Sequence, residues 1–177
     1  DIGDIVTGGT PGSILFVDAS NNLGQDNANL FYDDSANATT LNRKFAPSGG
    51  TDGAYKGDVV YFGGTTSMTI GTIYHYKSDG TWDVADPNAA ANSDGLLAVA
   101  LGAASDTNGM LLRGMVTLDH DPGAVGDVLY LSAASTGDAT ATAPSGSGDI
   151  VRIVGYCLDA SDGQIWFDPD STFVELA

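Results

Sequence analysis

The chain of 177 residues has one cysteine, one glutamate, two histidines and six basic residues. Each scarcity excludes something. With Cys157 alone, no intrachain disulfide exists, and its apolar setting (R-I-V-G-Y-C-L-D) reads as a small buried hydrophobe. With Glu175 as the only glutamate, the remaining 22 of the 23 acidic residues are aspartates. Aspartate competes with the helical backbone and prefers turns, so long helices are not expected. Six Lys and Arg against those acids leave a net charge of −17. That balance excludes nucleic acid as a direct partner and disfavours an anionic membrane surface. The longest apolar stretch, 96–104, is about half of what crosses a bilayer. The first residues show no basic-then-apolar leader pattern.

What is present is a repeated phrase. Residues 124–131 read A-V-G-D-V-L-Y-L, 146–153 read G-S-G-D-I-V-R-I, and 55–62 read Y-K-G-D-V-V-Y-F. A fainter copy, Gly3-Asp4-Ile5-Val6, stands near the start. Glycine permits a tight turn, aspartate bonds its backbone donors, and the β-branched or aromatic run that follows suits a buried strand. Strands are expected at 13–18, 29–33, 58–62, 67–70, 72–77, 81–84, 96–101, 110–118, 127–132, 150–158, 164–168 and 173–176. Polar turns are expected at 19–28 and 34–40, the first within a hairpin. Spacing of this kind predicts an all-β protein, a small barrel or sandwich. Residues 1–48 read as an extended N-terminal arm and hairpin and 55–177 as the compact domain. Residues 43–57, with Pro47 and Gly49-Gly50, read equally well as the junction between the two or as a surface loop within one domain.

Chemistry is sparse. His75 lies in T-I-Y-H-Y-K, opposite its flanking tyrosines, and His120 lies in L-D-H-D-P-G between aspartates. No G-x-S-x-G elbow occurs, and one Cys with two separated His makes no closed zinc set. Asp83, Asp86, Asp119, Asp121 and Asp127 all fall in turns, where aspartate has a structural task, so no glycosidase pair stands out. No catalytic residue and no cofactor is assigned. Calcium is the nearest ligand: Asp18, Ser20, Asn22 and Asp26 place oxygens at roughly alternate positions, although a polar turn accounts for them more simply. Asp159, Asp162, Asp168 and Asp170 form a second acidic group. Tyr55, Tyr61, Tyr74, Tyr76, Trp82 and Trp166 would serve a host-glycan surface if exposed, and core or subunit contacts if not.

Two stretches carry a resemblance. Residues 10–41, T-P-G-S-I-L-F-V-D-A-S-N-N-L-G-Q-D-N-A-N-L-F-Y-D-D-S-A-N-A-T-T-L, resemble a segment of bacteriophage tail fibres and related virion appendages, without the G-I-G continuation. Residues 130–177, with G-D-V-L-Y-L-S beginning just before them, T-A-P-S-G-S-G-D-I-V-R-I-V-G-Y and W-F-D-P-D-S-T-F-V-E-L, resemble the terminal β domain of phage fibre and capsid-decoration proteins. The resemblance implies a virion surface location, a homotrimer, other virion proteins as partners and no active site. Ile5, Val6, Ile14, Phe16, Leu30 and Tyr32 would then supply the oligomer interface. Alternatives are a capsid-decoration protein, a host-glycan-binding module, and a secreted filament subunit joined by strand addition.

Overall fold

The computed structural model describes residues 13–17, 23–33 and 38–41 as backbone, and 45 and 50–177 with their side chains. The chain divides into two compact units, Asp1–Phe45 and Ala46–Ala177. The described residues of the first form an antiparallel three-stranded sheet, β1 (Ser13–Val17), β2 (Leu23–Asp33) and β3 (Ala38–Leu41), in that order. Two expected turns are partly strand here. Phe16 pairs with Gly24 and Ile14 with Asp26, so β2 begins well before residue 29, while Thr39 and Thr40 pair with Tyr32 and Phe31. Backbone pairing in a hairpin overrides the polarity of 23–28.

The second unit is almost entirely β. Its strands are β4 (Tyr55–Val60), β5 (Ile73–Tyr76), β6 (Trp82–Val84), β7 (Leu97–Ala100), β8 (Met110–Thr117), β9 (Val128–Leu131), β10 (Ala139–Thr140), β11 (Ile150–Val151), β12 (Ile153–Asp159), β13 (Gln164–Phe167) and β14 (Val174–Glu175). A nine-stranded sheet runs β10-β9-β12-β13-β8-β7-β5-β6, with β4 on β8, and β11 pairs with β14 separately. All pairings are antiparallel. The expected strand at 67–70 does not form. Met68 is buried there by a coil segment, with only an isolated bridge at Thr66.

The sheet curls around one core into which β5, β7, β8, β9, β10, β12 and β13 all send side chains, among them Ile73, Val99, Leu111, Leu129, Val154, Cys157, Ile165 and Phe167. Backbone bonds draw the two ends of the curl together: Ile73 N donates to Gly137 O and Gly137 N to Ala85 O, both at 2.8 Å. The outer face of β5, β7 and β8 is buried too, by Met68, Tyr74, Trp82, Ala98, Ala100 and Met110 with Phe62 and Tyr76 against them. That is why L-L-A-V-A-L is apolar throughout rather than alternating.

β8 is the hinge of the curl. Val116 pairs with Tyr55 of β4 and Ile165 of β13, whereas Leu111 pairs with Val59 of β4 and Val99 of β7. One edge of β8 therefore changes partner midway. The register slips at that place, Asp58 facing Arg113 but Val59 facing Leu111, so Leu112 is the extra residue of a bulge. The Gly-Asp repeat also splits into two kinds. Gly126 and Gly148 are true turn residues with φ of 90° and 84°. The following Asp127 and Asp149 accept from the amides of Ala124 and Gly146 at 2.9 and 2.7 Å. Gly57 instead lies inside β4, opposite Gly114.

Candidate functional site

The described residues hold one place where titratable side chains converge beside an opening. β8 ends at Thr117, and Leu118 N donates to Gly163 O at 3.0 Å, which carries the chain into the Asp119–Asp121 turn. Asp138 arrives from the opposite end of the sheet, just before β10, on the segment whose Gly137 draws the curl together. His120 lies between them. Its Nδ1 is 2.8 Å from Asp119 Oδ1 and 3.5 Å from Asp138 Oδ1. Its Nε2 is 3.0 Å from Ala139 N, whose hydrogen points at it, and 3.1 Å from Ala139 O. Thr72 Oγ1 donates to Asp119 Oδ2 at 3.1 Å, fixing that carboxylate from β5's approach. Burial pushes the Asp138 carboxyl above its ordinary range and the Asp119 charge adds to this, against the pull of His120 and a hydrogen bond from Ser135. An open pocket of about 250 Å³ lies alongside, lined by Asp52, Asp119, His120, Asp121, Ser161 and Asp162 among others.

The Asp119–His120 pair has the geometry that orients an imidazole, but its far nitrogen meets the backbone of Ala139 rather than a hydroxyl. Ser161, the hydroxyl on the pocket wall, donates to Asp159 Oδ1 at 3.0 Å. A relay of the Ser-His-Asp kind is thus not assembled at this pocket.

His75 and Arg152 make a second, enclosed polar group. Arg152, 6% exposed, donates through Nε to Asp170 O at 2.7 Å and through one terminal nitrogen to Ser93 O and Gly95 O at 2.8 and 2.6 Å. His75 is 5% exposed, with Nε2 3.5 Å from Asp94 Oδ1 and no hydrogen-bond partner for Nδ1.

The aromatic residues considered for glycan contact separate. Trp82 and Tyr74 are 3% and 5% exposed. Trp82 stacks on Phe62 at 5.6 Å, meets Tyr76 at 4.9 Å, and donates Nε1 to Phe62 O at 2.8 Å. Tyr74 accepts at its hydroxyl from Thr69 N at 2.9 Å. Tyr74, Tyr76 and Trp82 therefore belong to the outer core rather than a glycan surface, because the 62–68 segment covers that face of the sheet. Trp166 is half-buried within β13, opposite Tyr156 and Met115. Tyr55 and Tyr61 are exposed.

The acidic groups also disperse. Asp159 and Asp170 each close a turn, accepting from Ser161 and Thr172 two residues on, and Asp168 pairs with Arg113 at 3.1 Å. With Asp162 on the pocket wall, these four do not form a calcium cluster. Of the other calcium candidates, Asp18, Ser20 and Asn22 lie outside the described residues, and Asp26 is within strand β2, which removes it from a loop. Among the interface candidates, Ile5 and Val6 lie outside the described residues, Ile14 and Phe16 are in β1, and Leu30 and Tyr32 in β2. Cys157 is enclosed in the core and burial raises its thiol pKa. Sequence reading placed His120 between aspartates but missed Asp138, which lies 19 residues further from Asp119 and reaches it only through the curl. No family model, curated protein or solved structure matches the chain.

Proposed function

We propose that this protein is a non-enzymatic structural subunit of a bacteriophage virion appendage, acting in particle attachment and stability as a homotrimer. The observation that carries the reading is the division of labour along the chain. Residues 46–177 form a body whose described core is complete in itself, while the described residues of 1–45 form a small sheet of their own. A three-stranded sheet of this size gains its stability from something packed on its face. Symmetry mates would supply that cover through Ile14, Phe16, Leu30 and Tyr32, with Ile5 and Val6 extending the contact. The resemblance of residues 10–41 and 130–177 to phage fibre and decoration proteins supports the same reading, as do aspartates that serve their own turns. Sedimentation of the full chain and of residues 46–177 tests it: a trimer for the first and a monomer for the second are expected. A monomeric full chain, or a trimeric 46–177 fragment, would refute it.

Exposed Tyr55 and Tyr61 favour one second reading, a host-glycan-binding module. Binding on a glycan array that disappears on replacing both tyrosines by alanine would decide for it.

A further inference from the structure

We propose that Asp119, His120 and Asp138 bind one divalent transition-metal ion of the zinc or cobalt class, reached from the adjoining pocket. Among the described residues this is the one trio whose ligand atoms, an imidazole nitrogen and a carboxylate oxygen from each aspartate, all lie within 4.8 Å of one another. Ligands bound at about 2.0–2.2 Å and tetrahedral angles stand roughly 3.4 Å apart. The two spacings from His120 Nδ1, 2.8 and 3.5 Å, straddle that value, so small rotations of the carboxylates suffice.

The surroundings suit a cation. Two carboxylates, about one quarter and one third exposed, share a single imidazole. Three of the protein's basic side chains are committed elsewhere: Lys77 to Asp79 and Asp83, Arg113 to Asp168, and Arg152 to backbone carbonyls. The outer partners are also in place. Metal-bound histidine usually donates its other ring N–H to a carbonyl or carboxylate, and Ala139 O stands 3.1 Å from Nε2 for that purpose. Without metal, Nε2 accepts from Ala139 N and Nδ1 carries the proton toward Asp119. On binding, the proton moves from Nδ1 to Nε2 and the Nδ1 lone pair turns to the metal. Nε2–H then donates to Ala139 O, the ring turns away from the Ala139 N–H, which gives up its bond to Nε2, and no net proton is lost from neutral imidazole. The Thr72 hydroxyl holds Asp119 through the oxygen that His120 does not use. A nitrogen ligand among carboxylates selects zinc, cobalt or nickel over calcium and magnesium. Three protein ligands leave a further position open to water from the pocket, whose lining includes Asp52, Asp121 and Asp162.

The experiment is a Co²⁺ titration of the full chain, followed by visible absorption, with Zn²⁺ as competitor. One Co²⁺ per chain is expected, with d–d bands that Zn²⁺ abolishes and millimolar Ca²⁺ does not. His120→Gln and Asp138→Asn each weaken binding by at least about tenfold, the loss that even an outer partner's removal brings. The exposed Asp83→Asn, which removes the same charge far from the trio, leaves it unchanged. In the wild-type protein Zn²⁺ should move the ring resonances of His120 and not those of His75, a readout that needs no variant to fold. Absence of 1:1 binding, equal weakening by Asp83→Asn, or unmoved His120 resonances each overturns the site. The inference stands apart from the virion reading, and neither outcome bears on the oligomer.

Discussion

Arg152 is a cation enclosed in the protein body and held by three carbonyl oxygens rather than by a carboxylate in contact. Burial lowers its pKa, with the charges of Asp170 and Asp94 opposing, yet a guanidinium stays protonated in proteins. Its bonds tie β12's entry to the 93–95 loop and to the 170 turn, segments far apart in sequence. Replacing it by methionine would leave the Ser93 and Gly95 carbonyls without their donor. Arg152→Met should therefore cost about 3 kcal/mol, read as a lower urea midpoint with an unchanged slope. Nearby His75 meets the same environment from the other side. Burial lowers its pKa first; Asp94 and, more weakly, Asp83 oppose this, and Arg152 adds to it. The folded protein thus binds a proton at His75 less readily than the unfolded chain, whose histidines titrate near 6.5. Stability from this residue is full above that pH and is lost as pH falls from about 6.5 toward the lower folded value. His75→Asn should flatten this part of the stability profile measured between about pH 7.5 and 5. An identical slope in the variant would show that the proton is taken up elsewhere.

At the scale of strands, one row explains the curl. Across β4, β8, β13, β12 and β9, the paired residues are Gly57, Gly114, Phe167, Gly155 and Leu129. Phe167 is fully buried and lies between two glycines, whose missing side chains let the backbones of Lys56, Gly57 and Trp166 approach closely. A β-carbon on Gly114 would strike the Lys56 carbonyl and lie 2.6 Å from the Gly57 α-carbon, and φ there is 139°. Gly114→Ala therefore loses on both sterics and backbone conformation, and about 2–4 kcal/mol of stability is the expected cost by thermal or urea unfolding. A variant as stable as the parent would mean that the β8 bend does not depend on this contact. This row was not legible in the sequence, where Gly57-Asp58 looks like the Gly126-Asp127 and Gly148-Asp149 turns. The distinction is made by what lies across the strand, Gly114, and pairing between residues so far apart leaves no local mark. Most strands from β5 to β13 were legible because they are apolar runs between Gly and Asp turn signals, but β10 lies in a Thr/Ala-rich stretch where none was expected, and the single strand expected at 150–158 is split at Arg152 into β11 and β12. Residues 67–70 misled for the converse reason: Met68 is buried outside any strand, its amide donating to Ala103 O, and burial alone writes the same apolar signal as a strand. At the candidate site, Asp119 and His120 were visible as neighbours, but Asp138 joins them only through closure of the sheet ends.

For the molecule as a whole, charge and connectivity decide what each part needs. A net charge of −17 would strain a compact fold if the carboxylates were crowded, but many are spent locally. Asp79, Asp86, Asp159 and Asp170 each accept from the amide two residues on, which also accounts for aspartate in place of the longer glutamate. The turns that launch strands thereby absorb much of the acidity within the second unit. All the described core side chains lie after residue 58, in two clusters belonging to Ala46–Ala177. A unit with its own core folds alone. Residues 46–177 expressed as a separate chain should therefore unfold cooperatively, within the few degrees of the full chain's main transition that about 1 kcal/mol produces. Residues 1–45 alone, whose described residues form a single three-stranded sheet, should show no cooperative transition in dilute solution. Calorimetry of the two fragments separates these outcomes. A main transition that vanishes with residues 1–45 would show that the body draws its stability from the first sheet, and would remove the basis for treating the second unit as complete.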